Sequence, residues 1–441
     1  MPFKEDEVKK FREQHKRSEM LWNRSKKVLA GGISHNLRNF GLPRTGGFPV
    51  FIINANKNKV FDIDGHKYLD YWGGHFSQLI GHNDPRIRHA AIERLQNGWH
   101  PGMVIEEQTI FAERLTRNSP GVEKIRFCTS GTEATMYATR LARSYTNRNL
   151  VAKAKLGWHG ANDTLFYDVG FPFTGRDTPG IHHIEDAGVI TFNINDETLF
   201  DLVQQHKDDL AAVIIEPVLG GGGGITVLEE YLKQIREITE DNDIVLIFDE
   251  IITGYRYHYG LYQDKIGVIA DLTTMGKIIS GGFPVGAVGG KSEILNLADP
   301  TQENPTLIGG GTFSAFPLSM VAGLTTLDIL KNSREDYVRI NKLGEQAIIR
   351  LNNLFTDNNV NFTAVGNGSM VFIHAITHYS SDKTITKLIG RKNKEAESLL
   401  QLALLNRHIT GYHGLGGLNF CHNEDDIEKT IHTIESIIEF F

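Results

Sequence analysis

Cysteine is almost absent: a chain of 441 residues carries two, Cys128 and Cys421, far apart and outside any metal-ligand spacing. That scarcity excludes a disulfide framework or a cysteine zinc module and fits a reducing compartment, so a cytoplasmic location is expected. No uncharged apolar run reaches the ~18 residues that a membrane span requires. The opening stretch MPFKEDEVKKFREQHKR is charged and lacks an apolar centre, so it does not read as a secretory signal. There is no internal repeat, and no block of basic residues. With 46 Lys and Arg against 53 Asp and Glu, the net charge of −7 makes nucleic acid or an anionic membrane a poor partner. What the chain does hold in excess is glycine, 45 residues or about 10%, against a usual ~7%. Backbone turned tightly, or brought close to a ligand, is one use for that excess.

The chain changes texture twice. Residues 5–29 read as a charged, partly amphipathic helix that stops at Gly31-Gly32. Short β-like runs follow at 50–53, 59–63 and 68–71, with Asp64-Gly65 as the hairpin turn between the last two. From about residue 105 strands and helices alternate. Strands are expected at 125–128, 150–155, 189–194, 211–217 and 244–248, and helices at 133–146, 197–210 and 229–240. The 244–248 run is apolar at every position, as a strand buried on both faces should be. This alternation predicts a mostly parallel sheet covered by helices. Past about residue 325 come a helix, strands and a terminal helix at 425–441, with Ile427, Ile431, Ile434 and Ile438 on one stripe. The expected organisation is a large α/β domain over 76–325 and a smaller α+β domain assembled from 1–75 and 326–441.

Three segments carry chemistry. Thr129-Ser130-Gly131-Thr132-Glu133 stands between a strand and a helix, where hydroxyls and open helix N–H groups form an anion cup; a simple capped turn is the other reading. Asp249-Glu250 closes the apolar strand. Two acids there need partners, because burying an unpaired charge is costly. Either one caps a turn while the other pairs with Arg256, or a cationic ring nitrogen of a cofactor supplies the counter-charge. Lys277 lies in Thr274-Met275-Gly276-Lys277-Ile278-Ile279-Ser280-Gly281-Gly282-Phe283-Pro284, flanked by apolar residues and glycines. Desolvation in such a setting lowers an amine's pKa and suits it to act as a nucleophile. The run Gly220 to Gly224 lacks the strand–helix context of a dinucleotide fingerprint and reads as a mobile loop. His182-His183 and His422 have no metal-ligand spacing, and no metal is expected.

Taken in order, these segments resemble the class III pyridoxal-phosphate aminotransferases, especially the glutamate-1-semialdehyde aminomutase branch. The likeness spans nearly the whole chain. It includes Gly31-Gly32, Asp62-Ile63-Asp64-Gly65, Ile80-Gly81-His82, Ser130 to Ala134, Trp158-His159-Gly160 and Glu216-Pro217-Val218. It continues through Asp249-Glu250-Ile251, Met275-Gly276-Lys277, Pro284 to Ala287, Gly311 to Ser314 and His422. The resemblance implies the aspartate aminotransferase-like fold (fold type I), the cofactor pyridoxal 5′-phosphate and a homodimer. By the same likeness Lys277 holds the cofactor covalently and moves the proton, and Asp249 pairs with the ring nitrogen. Ile251 and Trp158 pack on the two faces of the ring, with His159 beside them. Ser130, Gly131 and Thr132 hold the phosphate, Thr312 reaches the phosphate of the neighbouring subunit, and Glu216 supports the site near Asp249. Arg38 falls where the aminomutases place an arginine for a substrate carboxylate, a match that guanidinium geometry favours.

Departures cluster near the substrate. His75 stands where the aminomutase pattern has Trp, and Gly414-Leu415-Gly416-Gly417 replaces a Glu-Ala-Gly-Phe stretch. Ala315-Phe316-Pro317 replaces Gly-Asn-Pro, and the gating-loop counterpart from Tyr167 to His183 reads differently. The expected activity is therefore transfer of an amino group from a carboxylate-bearing α- or β-amino compound to a keto acid. Aminomutase, amino-acid racemase or epimerase, and an idle cofactor-binding relative are the alternatives.

Overall fold

The computed structural model describes residues 2–170, 173–376 and 393–441. The chain forms two compact units, one from Met1–Asp84 with Val338–Phe441 and the other from Pro85–Tyr337.

The Pro85–Tyr337 unit is built on a seven-stranded sheet. Its spatial order is Lys124–Cys128, Gly286–Gly290, Leu272–Gly276, Val245–Asp249, Leu210–Ile215, Leu150–Ala154, Val189–Phe192. Pairing is parallel except along both edges of Gly286–Gly290, which runs against its neighbours. The expected mostly parallel α/β sheet is what forms. Strands Leu210–Ile215 and Val245–Asp249 are buried at every residue, which their unbroken apolar sequence requires. Gly286–Gly290 is glycine-rich for a steric reason: a Cβ on Gly286 would lie 2.2 Å from the carbonyl oxygen of Ser130. Helix Gly131–Thr146 buries Ala134, Ala138, Leu141 and Ala142 in the core beside Ile214, Val245, Ile247 and Leu272. Its apolar residues recur at three- and four-residue spacing, so one face meets the sheet.

The other unit holds a four-stranded sheet, Ile52–Asn56, Lys59–Asp62, Lys67–Asp70 and Ile409–Thr410, and a three-stranded one, Phe362–Asn367, Met370–Ala375 and Gly416–Gly417. The hairpin turn at Asp64-Gly65 forms, with Gly65 at φ 99°. The single helix expected over 5–29 is instead two, Pro2–Gln14 and Lys16–Ser25. The break is at His15, whose buried ring bonds Phe11 O through Nδ1 and the Tyr68 hydroxyl through Nε2, both at 2.7 Å. Its backbone leaves the helical region, at φ −118° and ψ 42°, to make that tie. In the terminal helix Glu424–Ile438, Ile427, Ile434 and Ile438 are buried and Ile431 half-buried. No helix among the described residues is long and apolar enough to cross a membrane.

Candidate active site

Five segments of the Pro85–Tyr337 unit leave the carboxyl ends of five strands that run the same way: 129–132, 155–160, 216–220, 249–251 and 277–280. Ligands of open α/β sheets gather at such an edge.

The first segment is the anion cup. Ser130 is the N-cap of Gly131–Thr146 and forms a reciprocal capping box with Glu133. Its hydroxyl accepts from Glu133 N at 3.3 Å, while Glu133 Oε2 accepts from Thr129 N (2.6 Å) and Ser130 N (3.2 Å). The amides of Gly131 and Thr132, next in line, have no acceptor within the helix and stand at its positive end. The capped-turn reading is what forms, and the Gly131 and Thr132 amides remain candidate donors to an anion. Thr135 Oγ1 donates to His159 O at 2.6 Å, tying the cup's helix to the Trp158-His159 turn.

Asp249 lies at the centre of the cluster and is 4% exposed. Its Oδ1 accepts from Thr274 Oγ1 (2.8 Å) and Ile251 N (3.2 Å), and its Oδ2 lies 2.8 Å from His159 Nδ1. Burial lowers the His159 pKa, with the Asp249 carboxylate opposing. A neutral ring facing a carboxylate puts its proton on Nδ1, an assignment made from the hydrogen-bond network. Glu250 points elsewhere, accepting from Thr253 Oγ1 (3.1 Å), Tyr262 N (2.5 Å) and Gln263 N (3.0 Å), which caps helix Tyr262–Ile266. Burial pushes Glu250 up to about 7, with those hydrogen bonds opposing. Of the two acids, one is a structural cap and the other is held by His159 and Thr274.

Glu216 accepts from Trp158 N (2.8 Å) and Gly220 N (3.1 Å). Burial, followed by the negative charge of Asp249, raises its pKa, while Lys277 counteracts. Lys277 opens the turn after strand Leu272–Gly276 at φ 48°, a left-handed conformation that is strained for a residue with a side chain. Desolvation lowers its pKa, Asp249 and Glu216 oppose that, and Arg256 adds to it. The amine is thus within electrostatic reach of both carboxylates. Ile251 lies between two glycines, and a Cβ on Gly131 or Gly276 would stand 3.1 or 3.0 Å from its Cδ1. Trp158 is half-buried, with the Phe166 ring edge-on at 5.5 Å.

Gly220 to Gly224 differs from expectation. It is a largely buried turn between strands Val218–Leu219 and Ile225–Thr226, closed by Gly224 N to Leu219 O at 2.9 Å. A Cβ on Gly221 would fall 2.6 Å from Trp158 Cβ, so the glycines allow close packing against the site.

The structure therefore gathers Ser130, Gly131, Thr132, Trp158, His159, Glu216, Asp249, Ile251 and Lys277 along one sheet edge. Thr312 belongs to the same unit and is exposed. Arg38 and His75 belong to the other unit. Arg38 is exposed on the turn Asn36–Asn39, and His75 is half-buried at φ 59° in a left-handed run, its ring 4.6 Å from that of His35. Sequence reasoning missed Thr274 and Lys153. Thr274 had a usable signal, a hydroxyl three residues before Lys277 in a strand adjoining Asp249. Lys153 had one as well, a lysine between alanines inside a buried strand.

Comparison with known proteins bears on this arrangement. The family model described as aminotransferase class-III matches residues 42–393. A glutamate-1-semialdehyde 2,1-aminomutase of Methanosarcina acetivorans is 35% identical over 424 residues, covering 94% of this chain and 96% of that one. Among solved structures, an omega-transaminase from Sphaerobacter thermophilus is 31% identical with a TM-score of 0.86, covering 96% of this chain and 97% of that one. A beta-phenylalanine aminotransferase from Variovorax paradoxus is 26% identical with a TM-score of 0.88, covering 99% and 97%.

Proposed function

The chain belongs to the class III aminotransferases, enzymes that work with pyridoxal 5′-phosphate, and from that premise we propose that it transfers an amino group from a carboxylate-bearing amino compound to a keto acid. The observation that carries this reading is Asp249, a buried carboxylate fixed by His159 and Thr274 at a strand end, within electrostatic reach of Lys277.

The residues fit the cofactor by their chemistry. Gly131 and Thr132 N–H groups and the Ser130 and Thr132 hydroxyls would hold the phosphate. Asp249 would keep the ring nitrogen protonated, with His159 and Thr274 aiming its carboxylate. Ile251 and Trp158 would flank the ring. When bound, the protonated ring accepts the electron pair released at the carbon bearing the amine.

The chain's own work falls mainly to Lys277. Burial and Arg256 favour its neutral amine, which both attack on a carbonyl carbon and removal of a proton require. Its Nζ would take the proton from the amine-bearing carbon and return it to the carbon on the far side of the amine nitrogen, a 1,3-shift. Glu216, raised by burial and by Asp249, can stay protonated beside that carboxylate and add no second negative charge. Arg38 would anchor the substrate carboxylate, and His75 would contribute to the substrate pocket. In the second half of the cycle the keto acid takes the amine, and Lys277 moves the proton in the opposite sense.

Aminomutase is the second reading, favoured by the 35% identical aminomutase of Methanosarcina acetivorans. Against it stands Gly414, where the aminomutase pattern has Glu. Gly414 lies at φ 82°, and a Cβ there would come 2.6 Å from Ile373 Cβ, so this backbone has no room for that side chain. A cytoplasmic homodimer is part of the proposal. Trp99, Met103, Val104, Leu307 and Phe313 are 51–84% exposed, and the His100 ring joins the two segments at 5.2 Å from Phe313. An apolar surface of this kind suits a second copy of the chain, and it borders Thr312.

A donor screen tests the function. Carboxylate-bearing amino acids and simple amines are offered with a keto acid, to wild type and Arg38→Ala. The proposal expects amino transfer, with KM rising in the variant for carboxylate donors alone. Conversion of glutamate-1-semialdehyde to 5-aminolevulinate with no external acceptor would overturn it in favour of the second reading. Sedimentation of the cofactor-loaded protein checks the dimer, and a fully active monomer would refute it.

A further inference from the structure

Lys153 is a charged side chain that the proposed mechanism does not use. It lies in strand Leu150–Ala154, between strands Val189–Phe192 and Leu210–Ile215, and is 0% exposed. A methionine would fill this volume without the cost of burying an ammonium. A retained cation therefore calls for a specific partner, and the structure supplies one. Lys153 Nζ donates to Tyr167 O at 2.7 Å.

That carbonyl belongs to a short segment pinned along one edge. Directly opposite Lys153 on the neighbouring strand is Thr191, whose hydroxyl donates to Asp168 Oδ2 at 2.6 Å. Leu156 N donates to Asp168 O at 2.8 Å. Residues 167 and 168 are thereby fixed to the strand that leads into Trp158. The preceding residue, Phe166, sets its ring edge-on to the Trp158 indole, with centroids 5.5 Å apart and planes at 88°. Gly221 packs close to the Trp158 Cβ, and Glu216 holds the Trp158 amide. The carboxylates of Asp168, Asp177 and Glu216 face the ammonium and favour its charged form, while burial pulls its pKa down to about 8.

We propose that Lys153 is a positioning residue for Trp158: through Tyr167 O it fixes Phe166, and Phe166 holds the indole in the orientation in which it packs on the cofactor ring. This rests on the reading of Trp158 as a ring-packing residue given above. Truncating Lys153 frees the Tyr167 carbonyl, lets Phe166 turn, and leaves the indole without its edge contact.

The test uses the full chain in its apo form, with pyridoxal 5′-phosphate as the titrant. The near-ultraviolet circular dichroism band of Trp158 is defined by subtracting the spectrum of Trp158→Phe. Lys153→Met and Phe166→Leu are expected to lose that band and to weaken cofactor binding about 10-fold, the scale of one ring–ring contact. Lys153→Arg restores both, because it keeps a donor to Tyr167 O. The double variant Lys153→Met with Trp158→Phe binds as weakly as Trp158→Phe alone, since the two act through one contact. An unchanged Trp158 band in Phe166→Leu overturns the proposal, even if Lys153→Met fails to fold. Additive losses in the double variant overturn it as well. A wild-type chain that gains no visible absorbance with the cofactor would instead overturn the functional reading beneath it.

Discussion

Replacing Asp249 by Asn keeps the shape of the strand end and removes its charge. The three groups that hold the side chain, His159 Nδ1 at 2.8 Å, Thr274 Oγ1 at 2.8 Å and Ile251 N at 3.2 Å, are all donors. The Asn carbonyl can accept from some of them, but its NH₂ cannot accept from any. With the carbonyl towards Thr274 Oγ1 and Ile251 N, the NH₂ faces His159 Nδ1, so the buried ring has to move its proton to Nε2 to accept. The larger loss is electrostatic. A ring nitrogen opposite an amide keeps its proton poorly, and removing one preorganised electrostatic contact costs about 3 kcal/mol, a rate loss of ~10²-fold or more. Lys277 responds too. Asp249 is the first of the groups that favour its ammonium, so the variant moves the amine's pKa further down. The acidic limb of the pH–rate profile, which rises as Lys277 loses its proton, should shift to lower pH along with the fall in rate. The assay is single-turnover amino transfer followed by the visible spectrum, with cofactor held saturating so that weaker binding does not mimic slower chemistry. Near-normal turnover at saturating cofactor would refute the role of Asp249.

Glu250 gives a separate pH signature. Its folded pKa, about 7, is above the ordinary carboxyl value of 4.5, so the folded state keeps a proton that the unfolded state has lost. Stability attributable to this group is therefore full below about 4.5 and declines as pH rises towards 7. Glu250→Gln should gain stability relative to wild type by at most about 3 kcal/mol between pH 5 and 8, read from urea midpoints; a constant difference would contradict the shift. Gly414→Ala forces a side chain into a left-handed backbone at 2.6 Å from Ile373 Cβ. It should destabilise by about 2 kcal/mol or more in thermal unfolding, and a wild-type midpoint would show that the aminomutase Glu could be accommodated.

The candidate site's sheet edge was legible because its residues lie where strand meets turn. Val245–Asp249 announces itself by unbroken apolar sequence followed by an acid, and Ser130 by a helix start with Glu three residues on. What those acids touch was not legible. Asp249 and Glu250 are adjacent in sequence, yet one faces His159, 90 residues earlier, and the other caps a helix 12 residues on. Such a division is set by the alternation of strand side chains and by the path of the following turn, which no local pattern encodes. The Gly220 to Gly224 run misled for a related reason. Glycine abundance signals conformational freedom in isolation, but here it serves the close approach of Trp158 and Leu156 to a buried turn. His15 broke an otherwise continuous helix because its ring had a partner 53 residues away, and helical periodicity cannot register a long-range hydrogen bond.

The proposed chemistry depends first on which amine holds the cofactor. Two lysines compete on chemical grounds, half-buried Lys277 at the turn and buried Lys153 in the strand, both with pKa values lowered by desolvation. Reduction of the cofactor-loaded protein with borohydride, followed by peptide mass mapping, separates them. The account predicts the phosphopyridoxyl mass on the peptide carrying Lys277 and no other; the same mass on Lys153, or on any other lysine, would contradict it.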